Sequence, residues 1–139
     1  MYLIGYDIGS SSIKAALVDS STGTTVATVK SPEKEMDILA PQPGWAEQHP
    51  ETWWEHVCLA TGMLLEKSGI AAADIKAIGI AYQMHGLVLV DENREVLRPS
   101  IIWCDSRAIA LGDEAARGLG SRPASAIAST CPVILPLPN

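Results

Sequence analysis

The sequence contains no Phe, and aromatic residues make up only 5% of it. It has three Cys (58, 104 and 131), widely spaced and odd in number, with no CxxC and no Cys/His spacing of the kind a metal needs. A disulfide scaffold and a structural zinc site are therefore excluded, and reduced thiols of a cytoplasmic protein are the expectation. Basic residues are the scarcer charge, 10 against 16 acidic, for a net charge of −6. That balance argues against nucleic acid or an anionic membrane as partner. No long apolar run is present. Stretches such as Gly86–Val90 and Ser100–Trp103 fall far short of the ~20 residues of a spanning helix. Asp7 interrupts the first apolar segment and no basic region precedes it, so it does not read as a secretory signal.

What remains is an ordinary soluble domain, or part of a larger one, long enough to bury a core. YLIGYDI (2–8), IKAALVD (13–19) and TTVATVK (24–30) read as three strands joined by the turns Ser10–Ser12 and Ser20–Gly23, an antiparallel meander. Residues 31–50, with Pro32, Pro41, Pro43 and Gly44, read as loop. Pro50 and Glu51 suit a helix start, and Lys67 and Gly69 suit its end. Trp54, Val57, Cys58, Thr61, Leu64 and Leu65 mark its expected buried stripe. His49 is the expected N-cap, a weak choice for that position. IKAIGIAY within 74–82 reads as a strand. LVLVD (87–91), a turn at Glu92-Asn93 and VLRPSIIW (96–103) follow, then a helix over 108–119. From Ser121 onward no period survives; four of the nine Pro fall there or nearby (Pro123, Pro132, Pro136, Pro138).

Four segments carry chemistry or an ordinary alternative. In Asp7-Ile8-Gly9-Ser10-Ser11-Ser12-Ile13-Lys14, Gly9 permits a sharp turn close to a ligand. The serine hydroxyls and amides suit phosphate, Asp7 suits a divalent cation, and Lys14 supplies positive charge; a plain β-turn is the alternative. Tyr82-Gln83-Met84-His85-Gly86 ends a strand with groups that suit hydroxyls, or is a connecting loop. In Trp103-Cys104-Asp105-Ser106-Arg107, Trp103 suits the face of a sugar, and Asp105 suits a hydroxyl or a pairing with Arg107. Alternatively Asp105 caps the following helix and Trp103 sits in the core. Pro43–Trp54 holds three Trp within ten residues, and for Trp53 and Trp54 packing of the loop on the helix is the preferred reading.

Taken in order, DIGSSSIK, GWAEQHPETWW, AIGIAYQMHGLVLVD and LRPSIIWCDSRA resemble the N-terminal part of the FGGY carbohydrate kinases over about residues 1–120, and QMHG resembles the xylulokinases among them. The resemblance implies an α/β, actin-like (ribonuclease H-like) domain, the first of two around a cleft. ATP and Mg²⁺ occupy that cleft, and the γ-phosphoryl passes to a sugar, D-xylulose giving D-xylulose 5-phosphate. It assigns the nucleotide phosphates to Asp7, Gly9, Ser10, Ser11 and Lys14, the metal to Asp7, and the sugar to Gln83, Met84, His85, Trp103 and Asp105. His49 departs from the family, where Asp usually precedes that Pro; a weaker cap and unchanged chemistry are expected. Ribulose, fuculose, rhamnulose or glycerol are alternative substrates of the parent, and a non-catalytic actin-like binding module is the alternative class.

The family's catalytic base is an Asp far downstream, so no catalytic residue is assigned and an inactive chain is expected. The codons of STCPVILPLPN, read two nucleotides later, permit N-(L or M)-P-G-N-F-T-A-S-K, and PGNFTASK suits this point of a xylulokinase. The expectation is a partial actin-like domain over 1–120 and a frameshifted, disordered tail over 121–139. Apolar surface is then left uncovered and the chain self-associates. A homodimer of the parent is compatible with the resemblance.

Overall fold

The structure is a computed structural model, and it describes residues 1–118. The chain divides into two compact units, Met1–Ser106 and a second beginning at Arg107. The expectations for 121–139 lie outside the described residues.

The first unit is built on β1 (Tyr2–Ile8), β2 (Ile13–Asp19) and β3 (Thr24–Ser31). They form the expected meander: β1 pairs antiparallel with β2, and β2 with β3. At the β2–β3 turn Gly23 takes φ 71°, a conformation open to glycine at no steric cost. The Asp19 carboxylate accepts hydrogen bonds from the Ser21 amide and hydroxyl at 2.9 and 2.7 Å. Those two bonds hold its pKa below the ordinary carboxylate value.

Helix α1 (Pro50–Ser68) then crosses the sheet, a 3-10 turn (Ala72–Asp74) follows, and β5 (Ile75–Tyr82) returns parallel to β1. The strand order is β3-β2-β1-β5. Alternation along the strands puts Ile4, Tyr6, Ile13, Ala15, Leu17 and Ala27 into one core with Met36, Ala60 and Leu64. The opposite face of the strands carries Gly5, Asp7, Lys14 and Ala16.

Helix α1 begins and ends where its signals lie. His49 is the N-cap and makes no side-chain capping bond, and Gly69 closes the helix in the left-handed conformation with its amide on the Leu65 carbonyl. The buried face keeps Val57, Thr61 and Leu64 of the expected stripe and departs from it at Trp54 and Cys58. Trp54 is 69% exposed and Cys58 is exposed, whereas Ala60 and Leu64 are fully buried and Trp53 and Val57 pack on the core. Apolar identity pointed to Trp54; close approach to the sheet selected the small Ala60 instead. Thr61 sits on the same face because its hydroxyl meets Tyr6 Oη at 2.6 Å and donates to the Val57 carbonyl at 2.7 Å. Trp54 therefore does not pack the preceding loop onto the helix.

The segments 87–91 and 96–103 do not form two regular strands. They meet through isolated bridges, Leu87 with Ile101 and Val90 with Val96. The turn between them is held by the Asp91 carboxylate, which takes the Asn93 and Glu95 amides. Only Ser100–Ile101 (β6) is regular, and it pairs with β4 (Glu47–Gln48) in a small second sheet. In the second unit, α2 spans Ile109–Gly118, inside the expected 108–119.

Candidate functional site

The hairpin β1–β2 places Asp7 directly across from Lys14, and Lys14 Nζ stands 3.4 Å from Asp7 Oδ2, both side chains more than half exposed. They overlook a shallow hollow floored by Gly5 and Ala16 and rimmed by Thr28 and Lys30. The turn beyond Asp7 is closed by the Gly9 amide on the Ser12 carbonyl at 3.2 Å. A Cβ on Gly9 would meet that same oxygen at 3.2 Å, so the turn is tight where a ligand would approach it.

The turn is gripped from outside. Gln48, only 2% exposed, donates its amide to the Ser10 carbonyl at 2.6 Å and to the Asp37 carbonyl at 3.1 Å, and accepts from Trp53 Nε1 at 3.0 Å. The Met36 amide donates to the Ser11 carbonyl. Trp103, 59% exposed and outside the core, donates its indole N–H to Ser10 Oγ at 3.1 Å. A residue expected at the sugar thus touches the loop expected at the phosphates.

At the end of β5, the Gln83 amide donates to the Ile8 carbonyl at 3.0 Å and carries the β1–β5 ladder one step past the strand. A pocket of about 310 Å³ opens there, lined by Gln83, His85, Trp53, Tyr82, Val88 and Ser100 with Ile8 and Gly86. Its character is apolar but for Gln83, His85 and Ser100. The Gln83 side-chain oxygen and nitrogen are both buried, and neither has a hydrogen-bond partner. His85 takes φ 64°. Met84, between them, is 66% exposed and does not line the pocket. Ile8 lines the pocket and Asp7 faces the other side of β1, so pocket and ion pair flank the strand end from opposite faces.

Asp105 serves the loop of residues 43–50. Its carboxylate accepts the Ala46 amide at 2.7 Å, and Ser106 donates its amide and hydroxyl to the Gly44 carbonyl. The loop is pinned again by the ion pair of Arg98 with Glu47, whose side chain is 6% exposed.

The structure therefore brings together Asp7 with Lys14, Ser10 with Trp103, and Gln83 with His85. Reading residue types did not single out Gln48, Trp53 or Glu47 as parts of the site. The available signal was a buried-type polar pair, Glu47-Gln48, in a loop that otherwise turns on Pro and Gly.

The profile of the FGGY family of carbohydrate kinases, N-terminal domain, matches residues 2–129. This chain belongs to that family. The xylulose kinase of Bacillus subtilis is 38% identical over 106 residues, 76% of this chain and 20% of that protein. A xyloylose kinase from Brucella ovis superposes with TM-score 0.78 at 33% identity, covering 86% of this chain and 24% of that one. A gluconate kinase from Lactobacillus acidophilus superposes with TM-score 0.74 at 31% identity, covering 86% and 23%. The chain spans about a fifth of the length of the curated relatives it matches. The expected fold class holds: the mixed sheet and helix of this FGGY chain are those of the actin-like, ribonuclease H-like sugar kinases.

Proposed function

We propose that this FGGY chain supplies the N-terminal part of an ATP-dependent kinase that converts D-xylulose to D-xylulose 5-phosphate. The reading rests on the unpartnered Gln83 amide in its pocket. A buried amide without partners is costly, and a polyhydroxylated ligand offers what it lacks, a hydroxyl to donate and an oxygen to accept. Xylulose is the favoured sugar because several of the matching relatives are xylulose kinases; a gluconate kinase of similar structure keeps other acceptors in play.

In this reading Gln83 and His85 orient the sugar hydroxyls, with Trp103 as a wall and Met84 at the rim. Asp105 acts one step back, by holding the loop at Ala46. Gly9, Ser10 and Ser11 lie against the nucleotide phosphates, and Lys14 offsets their charge. Transfer of a phosphoryl group depends on such positioning and charge neutralisation. Asp7 would hold Mg²⁺. Its exposed carboxylate, which Lys14 meets at 3.4 Å, fits an ion that takes one or two carboxylates and completes its shell with water and phosphate oxygens. Among the described residues there is no cluster of three or more His, Cys, Asp or Glu to serve a protein-caged metal instead. Mg²⁺ there supplies neutralisation of the phosphate charge.

The pocket lining includes no carboxylate, and we propose that the isolated chain binds without turning over. The proposed setting is the cytoplasm. Cys58 and Cys104 are free thiols, and among the described residues no helix is long and apolar enough to cross a membrane.

The test is a titration of the 139-residue chain with D-xylulose, D-ribulose, gluconate and glycerol, followed by amide and indole NMR shifts. Xylulose should move Gln83, His85 and the Trp103 indole most, and a coupled assay with ATP should show no product. Shifts confined to other residues would overturn the site, and turnover by the chain would overturn its inactivity.

A further inference from the structure

Three successive carbonyls in the turn over Gly9–Ser12 each meet a donor. Ser10 takes the Gln48 side-chain amide at 2.6 Å, Ser11 the Met36 amide at 2.8 Å and Ser12 the Gly9 amide at 3.2 Å. Two of these donors come from outside the turn. The peptide joining Ser10 to Ser11 is trans, and a planar trans peptide points its C=O and N–H in opposite directions. A donor on the Ser10 carbonyl therefore turns the Ser11 N–H away from Gln48. A donor on the Ser11 carbonyl likewise turns the Ser12 N–H away from Met36. Among the described residues neither serine amide donates to another backbone group, and Ser11 is exposed. Successive amides whose carbonyls are turned in form a concavity suited to an anion.

Gln48 makes this grip in one orientation. Its nitrogen faces the carbonyls of Ser10 and Asp37, and its oxygen faces the Trp53 indole N–H at 3.0 Å. Turned over, the amide would set its oxygen against two oxygens and its N–H against an N–H. At 2% exposure such a mismatch carries the full cost of burial. The Trp53 ring in turn lines the pocket of Gln83 and His85.

We propose that Gln48 is a positioning residue for the nucleotide phosphates, locked by Trp53 so that the Ser10 carbonyl stays inward and the Ser11 amide faces the ligand. Gln48 touches no phosphate itself; it acts through the Ser10–Ser11 peptide plane. Because Trp53 also belongs to the pocket wall, one buried amide sets the wall and the turn together. This role presupposes the kinase reading, under which the turn meets phosphate.

The test is an NMR titration of the full 139-residue chain with inorganic pyrophosphate and Mg²⁺. In the unsubstituted chain the ligand should move the Ser11 and Ser12 amide signals. Gln48→Met keeps the side-chain length and removes all three bonds. Its Ser11 amide nitrogen should shift before any ligand is added, because the Ser10 carbonyl has lost its donor, and pyrophosphate affinity should fall about tenfold. Trp53→Phe keeps an aromatic ring in the wall, leaves the Gln48 oxygen unpaired, and should weaken pyrophosphate about threefold. Thr61→Val is the control on the same helix. It removes the hydroxyl bonds to Tyr6 and to the Val57 carbonyl, far from the turn in the bonding network, and should leave both the Ser11 shift and the affinity unchanged. An unmoved Ser11 nitrogen in Gln48→Met, undiminished affinity in Trp53→Phe, or an equal loss in Thr61→Val would each overturn the positioning role while the kinase reading stood. Pyrophosphate that leaves Ser11 and Ser12 unmoved in the unsubstituted chain would overturn the phosphate reading of the turn, and this role with it. The Trp53→Phe and Thr61→Val comparison decides even where Gln48→Met fails to fold.

Discussion

The Gln48 amide reaches 38 positions back along the chain to donate to the Ser10 carbonyl at 2.6 Å. One buried side chain thereby joins the loop before α1 to the turn that follows Asp7, and it also closes bonds to Asp37 and Trp53. The turn over Gly9–Ser12 is therefore held by α1's approach as much as by its own hairpin.

Replacing Gln48 by Ala removes all three bonds from a site that is 2% exposed. Buried groups left unpaired cost about 1–3 kcal/mol apiece in the worst case, and some rehydrate. We expect Gln48→Ala to lose about 2–4 kcal/mol, read from the urea midpoint. Gln48→Glu should recover little, because a carboxylate accepts from Trp53 and cannot donate to two carbonyls. A midpoint within error of the unsubstituted chain would show that the turn holds itself.

The β1–β2–β3 meander, α1 and β5 were legible in the sequence because alternation, Pro50 and Gly69 are local signals with local causes. The face of α1 was legible in part: Val57, Thr61 and Leu64 lie on it, and Trp54 and Cys58 do not. Its orientation is decided by which residue lets the helix closest to the sheet, and Ala60 carries no hydrophobic signal to compare with Trp54. The segments 87–91 and 96–103 meet in isolated bridges instead of regular strands, and their apolar residues Leu87, Val88, Leu89, Val90 and Leu97 stay largely exposed, so apolar identity there did not report a packed strand. At the site, types and spacing indicated Asp7, Ser10, Gln83 and His85. Gln48 was hidden, because its role is a bond across 38 residues that no periodicity encodes.

Arg98 meets Glu47 across 51 positions, with the Glu47 side chain 6% exposed and that of Arg98 40% exposed. Removing one partner of a buried pair costs about 3–5 kcal/mol, and the half-open Arg98 reduces this. Arg98→Met should lose about 1–3 kcal/mol, and Arg98→Lys should recover part of it. Because the pair pins the Glu47-Gln48 strand, the Ser10 amide should exchange faster in Arg98→Met. Equal exchange in the two proteins would separate the ion pair from the turn.

Asp19 titrates below the ordinary carboxylate value because the Ser21 hydroxyl and amide bond its charged form. A group depressed in the folded chain adds stability that is present above its unfolded pKa and lost as pH falls through its folded pKa. Ser21→Ala removes the hydroxyl bond, so the Asp19 carboxyl should titrate at higher pH in a carbon-detected NMR titration. The stability difference from the unsubstituted chain should be present at neutral pH and vanish in strong acid. An unmoved titration would place the cause elsewhere.

Gln83 offers the sharpest separation of stability from function. Its amide oxygen and nitrogen are both buried without partners, and an unsatisfied buried amide costs about 1–3 kcal/mol. Leu has nearly the same reach, lines an apolar pocket well, and leaves the backbone bond from residue 83 to the Ile8 carbonyl in place. Gln83→Leu should therefore be more stable by about 1 kcal/mol, seen as a higher urea midpoint with an unchanged slope. The same variant should lose the xylulose-induced shift at His85, because the pocket then has no amide to meet a hydroxyl. Gln83→Glu should lose the shift as well and gain no stability, since a buried carboxylate is worse placed than a buried amide. A Gln83→Leu chain that is both less stable and still sugar-responsive would show that Gln83 is structural, and the sugar would then have to be sought at the exposed Trp103 beside Ser10.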